Sequence, residues 1–123
     1  LKATVHAVRT QYPAKKLVAC MELHTFSSLT DAFLPQYAGC MEEADVAFVY
    51  FNPEVIKHKG LQPIDPEKVK DAFGGDNLNV YTDSSALQAT LKSMQYDNSA
   101  LLLMTSGNFS GVNLVKFAKE LLE

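Results

Sequence analysis

Four short apolar runs constrain this chain more than any other feature. They cover residues 17–23, 46–51, 78–81 and 100–104, with Glu22 and Asn79 their only polar residues, and stretches with helical spacing separate them. A continuous apolar run, as opposed to an alternating one, marks a strand buried on both faces, as in a parallel sheet. Strands alternating with helices build βαβ units, with helices packed on both faces of the sheet. The pattern predicts an α/β fold: a doubly wound, mostly parallel sheet forming a single domain over residues 1–123.

The helical stretches carry their own punctuation. Leu1, Val5, Val8 and Tyr12 repeat at helical spacing, which predicts a helix over 2–11 that stops near Pro13. Ser28 can cap a second helix, with Asp31 as its capping-box partner and Phe33, Leu34, Tyr37, Ala38 and Met41 facing the core. Asn52-Pro53 closes the second strand, and Lys57-His58-Lys59-Gly60 reads as a basic surface loop. In 63–75, Asp65 is an N-cap, Pro66 fits the first helical position and Gly74 ends the helix. Asp83 or Ser84 caps a helix with Leu87, Leu91 and Met94 inward. The last helix follows Thr105-Ser106-Gly107-Asn108 and carries Val112, Val115, Ala118 and Leu122, with Leu114, Phe117 and Leu121 as a second apolar set.

Composition narrows the functional classes. The chain is 47% hydrophobic and 20% charged, which fits a soluble globular domain. With a net charge of −3 and no long basic run, it has no electrostatic footprint for nucleic acid. No apolar stretch is long enough to span a membrane. Cys20 and Cys40 belong to no metal-ligand pattern and read as buried free thiols of a cytoplasmic protein. The first residue is Leu1 and the helical pattern is already under way there, so the chain is expected to be part of something longer.

In a doubly wound sheet the carboxyl ends of the strands converge on one crevice. Four endings would meet there: His24 to Ser28, Asn52 with Glu54, Thr82 to Ser84, and Thr105 to Asn108. His24 can orient a carboxylate or an amine, or it can simply bond a neighbouring carbonyl. Glu22 reads as a paired or solvated carboxylate. Ser106-Gly107-Asn108, followed by Gly111, is either an anion-receiving turn or a tight turn with an N-cap. Neither a dinucleotide fingerprint nor a phosphate loop is present, and no serine sits in a nucleophile elbow. No metal-ligand spacing accompanies these residues.

Taken together, a helix, a strand ending in L-H-T-F-S-S, and T-S-G-N before the last helix resemble the C-terminal domain of the Mur ligases. These are ATP-dependent amide ligases of bacterial peptidoglycan assembly. In the alanine-adding branch the corresponding pieces read P-H-R-F/Y-S/T-R-T and G-A-G-N/D. His24, Phe26, Ser27, Gly107 and Asn108 match those motifs. Thr25 and Ser28 stand where that branch carries arginines, and the ending M-T-S-G-N-F-S-G is closer to the recycling branch. The family's D-D-F/Y-x-H-H-P motif is absent, and the chain would begin just after it.

The resemblance implies an acceptor-binding domain with His24, Thr25, Ser27, Ser28, Ser106, Gly107 and Asn108 around the acceptor and no catalytic residue of its own. The partners it implies are UDP-N-acetylmuramate, a peptide or amino-acid acceptor and an ATP-binding central domain of the same chain, with no nucleic acid or membrane. The acceptor in the recycling branch is the tripeptide L-alanyl-γ-D-glutamyl-meso-diaminopimelate. In the alternative it is L-alanine. No cofactor is expected in this domain; ATP and Mg are implied for the full-length enzyme, and the fragment alone is expected to be inactive. A free-standing α/β binding module and a self-contained nucleotide-binding enzyme are the competing readings.

Overall fold

The computed structural model describes residues 2–23, 34–58, 60, 62, 64–105 and 109–122. Among them, the chain runs α1 (Lys2–Gln11), β1 (Lys16–Glu22), a 3₁₀ turn (Leu34–Tyr37), β2 (Val46–Tyr50), α2 (Pro53–His58), α3 (Pro66–Phe73), β3 (Leu78–Tyr81), α4 (Ser84–Ser93), β4 (Ser99–Met104) and α5 (Leu114–Leu122). All four strands are parallel, in the order β3-β2-β1-β4. The mostly parallel α/β sheet read from the apolar runs is therefore present, with helices on both faces.

The period-2 geometry of the strands divides the core into two layers. Leu17, Ala19 and Leu23 of the β1 segment join Ala47, Val49 and Phe51 under α1, the 3₁₀ turn, α2 and α3. Val18 and Cys20 point the other way, joining Phe48 and Tyr50 under α4 and α5. Sandwiched in this way, residues 17–20 are all buried, which is why the sequence shows no polar alternation there.

Local chemistry sets the helix ends. Asp65 accepts from the Glu67 amide at 2.9 Å, Pro66 occupies the first turn, and Gly74 ends α3 at φ 70° and ψ 178°, a region essentially restricted to glycine. Asp83 does the same for α4 through the Ser85 amide, also at 2.9 Å. At the amino-terminal edge of the sheet, Arg9 on α1 reaches Asp45 (2.6 Å) and the carbonyls of Glu43 and Lys15. Asp45 in turn accepts from the Leu17 amide at 2.7 Å, tying α1 to the starts of β1 and β2.

Four expectations need correction. Within the predicted 28–41 helix, the described part is a 3₁₀ turn: Pro35 cannot donate inside a longer helix, and Gly39 turns the chain at φ 74°. Pro53 opens α2 and does not merely close β2, so Lys57 and His58 belong to a helix's last turn and not to a loop. The last helix starts later than expected, at Leu114, where Asn113 accepts from the Lys116 amide at 3.1 Å. It buries Phe117 and Leu121 and leaves Val115 69% exposed, so the second apolar set supplies its inner face. Ser106, Gly107 and Asn108 lie outside the described residues, and residues 109–113 between them and α5 are not helical.

Candidate functional site

From β1 the chain moves to β2 and β3 on one side, then returns through α4 to place β4 on the other side of β1. The strand order thus reverses between β1 and β4, and α/β folds hold ligands outside the carboxyl ends at such a point. The two ends lie side by side, with Met21 in register with Met104. Residues 24–28 continue from β1 and 106–108 from β4, so the two segments singled out in the sequence leave from adjacent strands. His24, Thr25, Ser27, Ser28, Ser106, Gly107 and Asn108 themselves lie outside the described residues.

What is described is the framework around them. Glu22, at the end of β1, is 2% exposed and is the only buried charged side chain among the described residues. Its Oε1 accepts from Thr105 Oγ1 and, at 3.0 Å, from the Phe109 amide. These two donors flank residues 106–108. Phe109, Ser110 and Gly111 then take three successive positive φ values of 54°, 62° and 98°. Two of the three carry side chains, and such a left-handed stretch persists only when its surroundings over-determine it.

Two other strand ends add to that constraint. From β2, the Tyr50 hydroxyl shares a 2.8 Å hydrogen bond with Ser110 Oγ, and Asn52 Nδ2 donates to the same oxygen at 3.1 Å. Asn52 Oδ1 also accepts from the Glu54 amide at 2.9 Å, capping α2. Beyond β3, Ser84 Oγ donates to the Phe109 carbonyl at 2.7 Å. The Phe109 ring is buried and stacks on Tyr50 with 6.0 Å between centroids. The connection from β4 to α5 is thus fastened to the ends of β1, β2 and β3. Of the residues expected in the crevice, Asn52, Ser84 and Thr105 join this framework, while Thr82 sits exposed beyond β3.

Burial governs the electrostatics. The Cys20 thiol, under α4 and α5, is pushed up to about 12 by burial first and by Glu22 second, so it is no nucleophile at neutral pH. Burial also raises the Tyr50 hydroxyl, which stays a neutral hydrogen-bonding group. Beside the left-handed turn, a polar groove of about 420 Å³ runs between α4 and α5, with Ser84, Ser85, Gln88, Ser110 and Lys116 on its walls. Among the described residues, no three His, Cys, Asp or Glu side chains gather to hold a metal ion, and no helix is long and apolar enough to cross a membrane.

Sequence reasoning missed the anchoring role of Glu22 and the whole Phe109–Gly111 turn. A carboxylate inside an otherwise apolar strand was the available signal for the first. Nothing in Phe109-Ser110 announces a left-handed conformation, because neither residue favours it.

Comparison with known proteins gives a consistent picture. No family model matches the chain. A 49-residue stretch is 43% identical to the UDP-N-acetylmuramate–L-alanine ligases of Lacticaseibacillus casei and Lacticaseibacillus paracasei, spanning 40% of this chain and 11% of each relative. The fold is that of a domain from a UDP-N-acetylmuramate:L-alanyl-γ-D-glutamyl-meso-diaminopimelate ligase of Haemophilus ducreyi. That likeness has a TM-score of 0.57 at 20% identity and covers 97% of this chain and 80% of that one. A murein peptide ligase of Psychrobacter arcticus aligns with a TM-score of 0.66 at 15% identity, covering 98% of this chain and 24% of that one. The chain resembles a C-terminal domain of a Mur-ligase-family enzyme.

Proposed function

We propose that this chain is the acceptor-positioning domain of an ATP-dependent amide ligase, one that joins UDP-N-acetylmuramate to the tripeptide L-alanyl-γ-D-glutamyl-meso-diaminopimelate. The observation that carries this reading is the fold shared with two such ligase structures over 97% and 98% of the chain. The switch point between β1 and β4 supports it, since it attaches the His24–Ser28 and Ser106–Asn108 segments to adjacent strands. In this reading residues 1–123 form one domain of a cytoplasmic enzyme, and a central domain of the same chain completes the active site.

The work of this domain is to hold and orient. An amine attacks an activated carboxyl efficiently only when fixed in line with it, and confinement of that kind accounts for a large share of such a barrier. Closing the domain over the centre keeps water from competing for the activated carboxyl. His24, Thr25, Ser27, Ser28, Ser106, Gly107 and Asn108 are proposed to hold the acceptor. ATP and Mg belong, in this reading, to the central domain; among the described residues no three His, Cys, Asp or Glu side chains gather to hold a metal ion.

The 43% identity to alanine ligases favours a second reading, in which the acceptor is free L-alanine. The test is ligation by the full-length enzyme with ATP, Mg and UDP-N-acetylmuramate, offering either acceptor. Use of the tripeptide is expected; turnover with L-alanine alone would move the protein to the second reading, and turnover with neither would overturn both. A His24→Ala variant should raise the acceptor's KM or lower kcat, whereas unchanged kinetics would return His24 to a structural role.

A further inference from the structure

We propose that Glu22 is a positioning residue for the acceptor, acting through the connection between β4 and α5; this rests on the functional reading above. Its carboxylate is 2% exposed, on the face of β1 that carries Val18 and Cys20, with Tyr50 opposite in register and the Phe109 amide bonded to it. An apolar side chain would pack in such surroundings without the desolvation that a carboxylate suffers there, so stability alone does not explain the charge. What the carboxylate holds does explain it. One oxygen, Oε1, accepts from both Thr105 Oγ1 and the Phe109 amide, fixing the first residue beyond β4 and the first residue of the left-handed turn to the end of β1. The separation of those two residues sets the span of the connection at the switch point. Ser84, Tyr50 and Asn52 hold the far side of the same turn, and Glu22 ties it to β1.

The experiment uses the full-length enzyme with Glu22→Gln, which keeps one oxygen acceptor and the side-chain shape but removes the charge. Thr105→Val removes one donor and leaves the carboxylate in place. In E22Q the KM for the acceptor should rise about tenfold, and in T105V about threefold, while the constants for ATP and UDP-N-acetylmuramate stay within about twofold. Hydrogen exchange gives a readout independent of turnover: the Phe109 amide should exchange about tenfold faster in E22Q. If all three substrate constants worsen together with the melting temperature, or none moves, Glu22 is merely structural and the inference fails. Unchanged exchange at Phe109 also overturns it. If the wild-type enzyme ligates no acceptor, the functional reading falls by itself, and exchange at Phe109 still decides whether the anchor exists.

Discussion

Replacing Ser110 by glycine sets two effects of similar size against each other. Ser110 lies at φ 62°, where a side chain costs roughly 1 kcal/mol that glycine does not incur. Glycine also loosens the unfolded chain, which gives back about 0.5–1 kcal/mol, so the conformational contributions nearly cancel. The hydroxyl then decides the outcome. Its bond to the hydroxyl of buried Tyr50 contributes about 1 kcal/mol, and its more exposed bond from Asn52 contributes about half that. Ser110→Gly should therefore lose about 1 kcal/mol in urea unfolding, roughly 4 °C in melting temperature for a domain of this size. Ser110→Ala loses the same bonds and changes neither conformational contribution, so it should fall within about 0.5 kcal/mol of the glycine variant. A glycine variant more stable than wild type would refute the reasoning, because backbone strain would then outweigh every bond that holds the turn.

Other outcomes can be checked in the same way. The Arg9 hydrogen bond, and after it the Leu17 amide, hold the Asp45 carboxyl below the usual carboxylate range. A folded-state pKa below the unfolded one gives stability that is complete above the unfolded value and lost as pH falls through the folded value. Asp45 is half-exposed, so Asp45→Asn should cost at most about 1 kcal/mol at pH 7, a gap that closes below about pH 4. Melts with a gap unchanged down to strong acid would rule this out. Cys20, with its thiol pushed up to about 12, should resist a thiol reagent at neutral pH until the chain unfolds; fast labelling of the native protein would show that α4 and α5 open readily.

How much could be read beforehand depended on whether a residue's role was local. Asp65-Pro66 with Gly74, and Asp83 before α4, are complete within a few residues of sequence, and their helices begin and end where those signals stand. The strands were legible because burial on both faces leaves an unbroken apolar run, as at 17–20. Pro35 and Gly39 sat in plain view but were outvoted by an apolar stripe that a 3₁₀ turn satisfies equally well, burying Leu34 and Tyr37. In the last helix, two apolar stripes competed, and only packing against α4 and the sheet chose Phe117 and Leu121 over Val115. The framework of the site was the least legible part. Glu22 bonds residues 83 and 87 positions away, and Tyr50 meets Ser110 across 60, contacts that no local pattern encodes.

The way the β4–α5 connection is fastened separates its frame from its contents. Thr105 and Phe109 are pinned from β1, and Ser110 and the Phe109 carbonyl from beyond β2 and β3. Exchanging the three residues between these posts leaves each of those bonds its own donor and acceptor. If the proposed function holds, segments of equal length grafted from other amide ligases into 106–108 should alter which amine is taken while those bonds persist. Divergence of acceptor preference could then proceed by small edits at one place, with the sheet, its two core layers and its helix caps left untouched.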